Sequence, residues 1–304
     1  MKNCELLIDI TSAALGKPGA AEWMSSAQTL AAQYNAVIGV QVHNSALVNE
    51  FELAVACNYP LSFHAPVLGE YMMNFAAEDA SLSWQMAAEQ ADLMRRYQVK
   101  RAVFHGALMT DLAIYAFGHG MSYHECMMQA QRSDLLRSSG SFFVRDYTAS
   151  DEYLLRRDRL KNNLLELRKR YPDLLWCVEN DFPAHTAGVL RGCDLAYLEH
   201  PVCFDTGHMW AASKMLELDF YAELDAALAG GMVEMIHLHA SKHKFSAPHD
   251  SWGDGHLPLN IATDMDIAKI IRKCRQNQVK HIVLEIADAS LSDVQTVLRY
   301  YFED

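Results

Sequence analysis

Eight short, almost continuously apolar runs, each followed by a longer segment, constrain this chain more than any other feature. The runs are residues 5–11 (ELLIDIT), 37–43 (VIGVQVH), 61–65 (LSFHA), 101–105 (RAVFH), 175–180 (LWCVEN), 202–206 (VCFDT), 233–239 (VEMIHLH) and 281–286 (HIVLEI). A strand with so little polar alternation is buried on both faces, as in a parallel sheet covered by helices. Between the runs, residues 20–34, 80–97, 151–171, 215–229, 263–278 and 290–302 read as helices. Eight βα units in 304 residues predict an α/β chain folded as a closed (β/α)8 TIM barrel, one domain over 1–304. An open doubly wound sheet is the competing fold. It would carry a glycine-rich phosphate turn after its first strand, and SAALGKPG does not match that pattern. Residues 107–150, rich in aromatic, glycine and methionine side chains without clear periodicity, predict an elaborated loop after strand four on the active-site side.

Composition narrows the function. A hydrophobic share of 51% and a charged share of 21% are ordinary for a globular protein. No apolar run reaches membrane-spanning length, and MKNCELLIDI lacks the pattern of a signal peptide, so the reading is a cytoplasmic protein with no membrane partner. Seven scattered cysteines without a C-x-x-C pair fit reduced thiols, with Cys177 and Cys203 in the core. A net charge of -12 disfavours a nucleic-acid partner, whose phosphates call for a basic face.

The chemistry lies where the strands end. Strand three ends in His64, strand four in His105, strand five in Glu179 and strand six in Asp205, followed by His208 in the loop. Strand seven carries His237 and His239, and strand eight carries Glu285. In a barrel these ends converge on one mouth. Between strands seven and eight, His249, Asp250, Asp254 and His256 are further candidates as ligands or substrate contacts. A single histidine near a strand end is more often a hydrogen-bonded core residue than a ligand. Six successive strands each delivering an imidazole or carboxylate to one end point instead to a site for zinc, manganese or iron. His43, His119, His124, His185, His200 and His281 lack that context and are read as structural or surface residues.

Read with their neighbours, these residues resemble the endonuclease IV and xylose isomerase-like barrel superfamily over nearly the whole chain. The resemblance is carried by FHAP…YMMNFAA with His64, VFHGA with His105, WCVEN with Glu179, VCFDTGHMWAA with Asp205 and His208, IHLHASK with His237, GDGHLPL, and IVLEI with Glu285. It implies one metal held by His64, His105 and Glu179, and a second by Glu179, Asp205, His237 and Glu285. A third would use His208 with His249, the family's aspartate position falling on Ala247 unless Asp250 substitutes. Taking Asp254 and His256 as that Asp-x-His pair keeps the spacing but sacrifices the family's Gly-Glu-Gly turn. After strand two this chain has Asn44-Ser45-Ala46 and lacks the arginine of the DNA enzymes.

Three functions follow. The resemblance to endonuclease IV implies phosphoester hydrolysis with two or three zinc ions, Glu179 and Glu285 being the catalytic carboxylates. The alternative is a sugar isomerase or epimerase using one Mn2+-like ion and the same two glutamates as acid and base. A non-catalytic metal-binding barrel is the third. The net acidity and the missing arginine favour a small phosphorylated or sugar-like substrate over DNA.

Overall fold

The computed structural model describes residues 5–118 and 120–303. Cys4 and His119 lie outside the described residues. Eight parallel strands pair in chain order and close on themselves: β1 (Leu6–Thr11), β2 (Ala36–Val42), β3 (Leu61–Ala65), β4 (Arg101–His105), β5 (Leu175–Glu179), β6 (Val202–Asp205), β7 (Val233–Leu238) and β8 (His281–Leu284). This is the (β/α)8 TIM barrel that the strand pattern predicts, with each strand within two residues of its expected bounds at either end. No helix among the described residues is long and apolar enough to cross a membrane.

Around the strands run α1 (Ala20–Ala32), α2 (Val48–Ala56), α3 (Ser81–Arg96), α4 (Tyr123–Met127), α5 (Asp151–Arg170), α6 (Gly192–Tyr197), α7 (Thr206–Met215), α8 (Phe220–Ala229), α9 (Ile267–Gln276) and α10 (Leu291–Leu298). The helices face the barrel with apolar stripes at helical spacing, such as Met86, Ala87, Ala91 and Met94 on α3. Leu160, Leu164 and Leu167 on α5 do the same. The helix expected over 215–229 starts later, as α8 from Phe220, because α7 ends at Met215. Glu217 adopts a left-handed backbone (φ 59), and the Asp219 carboxylate accepts from Ala222 N at 2.8 Å to cap α8. The chain between β4 and α5 is irregular, with α4 and two short 3-10 turns, Met128–Ala130 and Ser133–Leu135.

Inside the barrel, alternate residues of each strand point to the axis. Val103, Cys177, Cys203, Met235 and Val283 pack there as one buried apolar layer. The next inward positions toward the C-terminal ends are His105, Glu179, Asp205, His237 and Glu285. Period-two geometry thus lifts polar side chains above a dry floor.

Candidate metal centre

Strand register sets the first contacts. His105 pairs with Glu179 across β4 and β5, and Asp205 pairs with His237 across β6 and β7. Glu179 is the hub. Its Oε2 lies 3.2 Å from His64 Nε2 and 3.7 Å from His105 Nε2, and its Oε1 lies 2.7 Å from His237 Nδ1. The same Nδ1 is 3.1 Å from Glu285 Oε2 and 3.7 Å from Asp205 Oδ2. Asn180 locks β5 to β6, donating to Asp205 O (2.9 Å) and accepting from Asp205 N (2.8 Å). Asp205 also caps α7, its Oδ1 accepting from His208 N at 2.6 Å, so His208 begins a helix rather than sitting in a loop.

A second set of side chains continues from the first. His208 Nε2 and His256 Nε2 converge on one oxygen, Asp254 Oδ2, at 3.1 and 2.9 Å. The other nitrogen of each ring faces a main-chain carbonyl: His208 Nδ1 lies 3.1 Å from Asn180 O, and His256 Nδ1 lies 2.9 Å from Glu285 O. A carbonyl only accepts, so each Nδ1 carries the hydrogen, and in a neutral ring the Nε2 lone pair then faces the carboxylate. Two lone pairs aimed at an anion are repulsive unless a proton or a cation lies between them. His239 joins the sets, with Nε2 3.3 Å from Asp205 Oδ2 and Nδ1 accepting from His256 N at 2.7 Å. Two glycines make room for this ring. A Cβ on Gly207 would lie 1.9 Å from His239 Cε1, and one on Gly255 would lie 2.5 Å from Ala240 O.

Both oxygens of Glu179, both ring nitrogens of His237, Asp205 Oδ2 and Glu285 Oε2 are buried without a hydrogen-bond partner. Even the 2.7 Å approach of His237 to Glu179 is not aligned as a hydrogen bond. Orphaned polar atoms at such density call for an ion. Ligand atoms within 4.8 Å of one another fall into groups that could hold one: His64–Glu179–His237, Glu179–Asp205–His237–Glu285, His105–Asp181–His208, His208–Asp254–His256 and His239–His256–Glu285. The donor chemistry fits zinc or manganese.

Electrostatics follow from this crowding. Burial opposes charge on Glu179, yet His237, His105 and His64 together pull its pKa well below the usual range. Burial pushes His105 down to about 3 against the pull of Glu179. It pushes Asp181 up to about 7, against the pull of His208. Burial also opposes a charged His256, but Asp254 and Glu285 carry its pKa up to about 10. His256, with His208 and His237, whose pKa values the surrounding carboxylates also raise against burial, thus stands in for positive charge that a cation would supply.

His64, His105, Glu179, Asp205, His208, His237, His239, Asp254, His256 and Glu285 come together in these groups. His249 and Asp250 fall outside these groups. They sit on an outward 3-10 turn, Asp250 exposed, because the following Trp252 is buried against Trp210 and stacked on His243. That anchor turns 249–251 away and brings Asp254 and His256 to His208 instead. Sequence reasoning missed Asp181, two residues beyond Glu179 and therefore on its face, and read His43, the residue after β2, as structural or surface although it lines the cavity. His43 Nε2 lies 3.2 Å from Glu285 Oε1. Above the cluster opens a cavity of ≈ 410 Å³, bounded by His43, His64, His105, Asp181, His208, Asp254, His256 and Glu285. Phe117, Ser122, Tyr123, His124 and Phe142, from the segment after β4, also line it.

No family model matches the chain, and no curated protein does. Solved structures do. A D-tagatose 3-epimerase-like protein matches with 12% identity and a TM-score of 0.57, over 98% of this chain and 97% of that one. The TTHB071 protein from Thermus thermophilus, in a structure soaked with zinc chloride, is 15% identical with a TM-score of 0.54, over 98% of each chain. A xylose isomerase domain protein from Planctomyces limnophilus is 12% identical with a TM-score of 0.52, over 97% and 96%. At these identities the likeness is one of architecture: the chain shares their (β/α)8 barrel fold.

Proposed function

We propose that this protein is a metal-dependent phosphoester hydrolase with adjacent divalent-cation sites, zinc being the ion its donors suit best. The observation that carries the reading is the convergence of His208 and His256 on Asp254 Oδ2, beside the buried Glu179–His237–Glu285 group. Because Glu179 and His208 each belong to two donor groups, ions held there would be neighbours. Bound divalent ions would supply Lewis acidity toward a phosphoryl oxygen and lower the pKa of water. The chain's own groups do the rest. His64 and His105 flank the Glu179 carboxylate on one side and His237 faces it from the other, which places it at the centre of the cluster. Glu285 stands in the cavity wall between His43 and His237, where it can position a nucleophile or take its proton. Among the described residues no lysine or arginine lines the cavity, so an anionic substrate depends on the cations for neutralisation. With the net charge of -12, a small phosphoester is favoured over DNA.

One arrangement favours a second reading. Glu179 and Glu285 approach the same His237 ring, a carboxylate pair suited to proton transfer beside a carbonyl, and several of the barrel's structural neighbours carry the names of sugar epimerases. Elemental analysis of purified protein separates the two. Two or more ions per chain with metal-dependent cleavage of p-nitrophenyl methyl phosphate supports hydrolysis. One exchangeable manganese, no ester cleavage and interconversion of ketoses would replace it with epimerisation.

A further inference from the structure

His124, on α4, lines the cavity from the segment after β4 and belongs to none of the metal-donor groups. Its Nδ1 is fixed 3.0 Å from Nε2 of His185, so the two rings share one hydrogen. His185 decides which ring owns it. That residue is 1% exposed, its ring lies against Phe142 (centroids 5.7 Å, 25° between planes), and its Nδ1 is buried with no partner. If His185 Nε2 accepted, a neutral ring would have to bury an N–H on Nδ1 without an acceptor. If Nε2 donates, only a lone pair is left bare. A buried orphan N–H is the rarer defect, so His185 donates to His124. His124 then carries its own hydrogen on Nε2, the nitrogen not engaged by His185. Burial, reinforced by His124, pushes the His185 pKa down to about 4, which keeps that ring neutral. The pair is also held in place. His185 sits in a left-handed backbone (φ 57), and its N–H donates to Phe142 O at 2.8 Å.

We propose that His124 is a catalytic residue of the hydrolysis proposed above, donating an Nε2–H hydrogen bond to the leaving oxygen of the phosphoester, with His185 as the positioning residue that fixes its tautomer. The inference rests on the hydrolase reading. No proton is transferred by the pair: a water oxygen bonds to phosphorus and yields its proton to Glu285, the P–O bond to the leaving group breaks with both electrons going to the departing oxygen, and a preorganised donor lowers the energy of the charge that grows there. The metal donors line the same cavity and His124 is in none of their groups, so the leaving group is met by a donor that depends on no ion.

The test varies the leaving group. Wild type, His124→Phe and His185→Phe, each zinc-loaded, are assayed on p-nitrophenyl methyl phosphate and on phenyl methyl phosphate, whose departing oxygen is the more basic. The expected result is that both variants lose kcat on the phenyl ester by about tenfold or more beyond their loss on the p-nitrophenyl ester. Their zinc content should match wild type. Equal losses on the two esters, or none, overturn the role of His124 and leave the hydrolase reading intact. No turnover of either ester by wild type overturns the hydrolase reading and this inference together. If His185→Phe fails to fold, His124→Phe alone decides.

Discussion

Nearer the N-terminal ends of the strands, Asp9 Oδ2 accepts from Ser62 Oγ and lies 2.8 Å from His281 Nε2, all of them buried. At the C-terminal ends, Glu179, His237, Asp205 and Glu285 are equally buried, yet their facing atoms are left without hydrogen bonds. The two polar layers are built from the same residue types in one barrel, with an apolar layer close by. Gly39 shows how the lower layer is fitted to itself: a Cβ there would lie 2.1 Å from Asp9 Oδ1, so the strand gives up a side chain to seat the carboxylate. In the upper layer the glycines at 207 and 255 clear space for the His239 ring, whose Nε2 has no hydrogen-bond partner. A buried polar group needs a partner. The lower layer finds part of its partnership within the chain, with Asp9 Oδ1 and His281 Nδ1 left bare, whereas the upper layer leaves both Glu179 oxygens and both His237 nitrogens without any.

The largest expected effect breaks the upper layer. Glu179→Gln removes the charge shared by two donor groups, so zinc affinity should fall at least about a hundredfold and ester cleavage with it, read by calorimetric titration and elemental analysis. His256→Ala should remove ligands from the outer groups alone, lowering the zinc content while leaving the Glu179–Asp205–His237–Glu285 group able to bind. Equal zinc content in wild type and Glu179→Gln would sink the contrast between the layers.

Asp9→Ala attacks the lower layer. It strands Ser62 and His281 in the barrel interior, and the expected cost is about 3 kcal/mol in urea unfolding, with zinc content per folded chain unchanged. Loss of zinc from this variant would mean that the two layers are not independent.

A smaller effect depends on pH. His200 is buried, and burial, then the nearby Arg168, lowers its pKa to about 3 from the ordinary 6.5. The unfolded chain therefore takes up a proton that the folded ring refuses. The contribution is absent above about pH 6.5 and grows as destabilisation when the pH falls from there toward about 3. His200→Phe should flatten part of the fall in urea midpoint between pH 7.5 and pH 5. An unchanged slope would show that the ring is not held neutral.

Much of this was legible in the sequence because a barrel converts local pattern into global place. An apolar strand ending in His105 or Glu179 can be recognised without knowing its neighbours, and closure brings such ends together. Asp181 was missed for want of applying the two-residue alternation one step further, and His43, at the end of the second run, was set aside as structural although the strand-end rule covered it. The pairing of His124 with His185 was beyond reach. It joins a short helix to an irregular loop 61 residues away, with no periodicity to announce it. His249 falls outside the donor groups for a related reason. Spacing alone made it the counterpart of a ligand, whereas the direction of its loop is set by Trp252 packing on Trp210, a contact between residues 42 apart that spacing does not encode.

The smallest expected effect tests that last point. His249 stands on the outward turn, and burial, followed by Arg137 and Lys214, lowers its pKa. None of the donor groups includes it, and it does not line the cavity. His249→Ala should therefore leave zinc stoichiometry and ester cleavage at wild-type values, with a stability change inside about 0.5 kcal/mol. Asp254→Asn, five residues on, should lower zinc content because it weakens the carboxylate on which His208 and His256 converge. If the two variants exchanged behaviour, the loop after β7 would have to turn the other way, with 249 and 250 inward and 254 and 256 outward. The site would then follow the family's spacing rather than the packing of this chain.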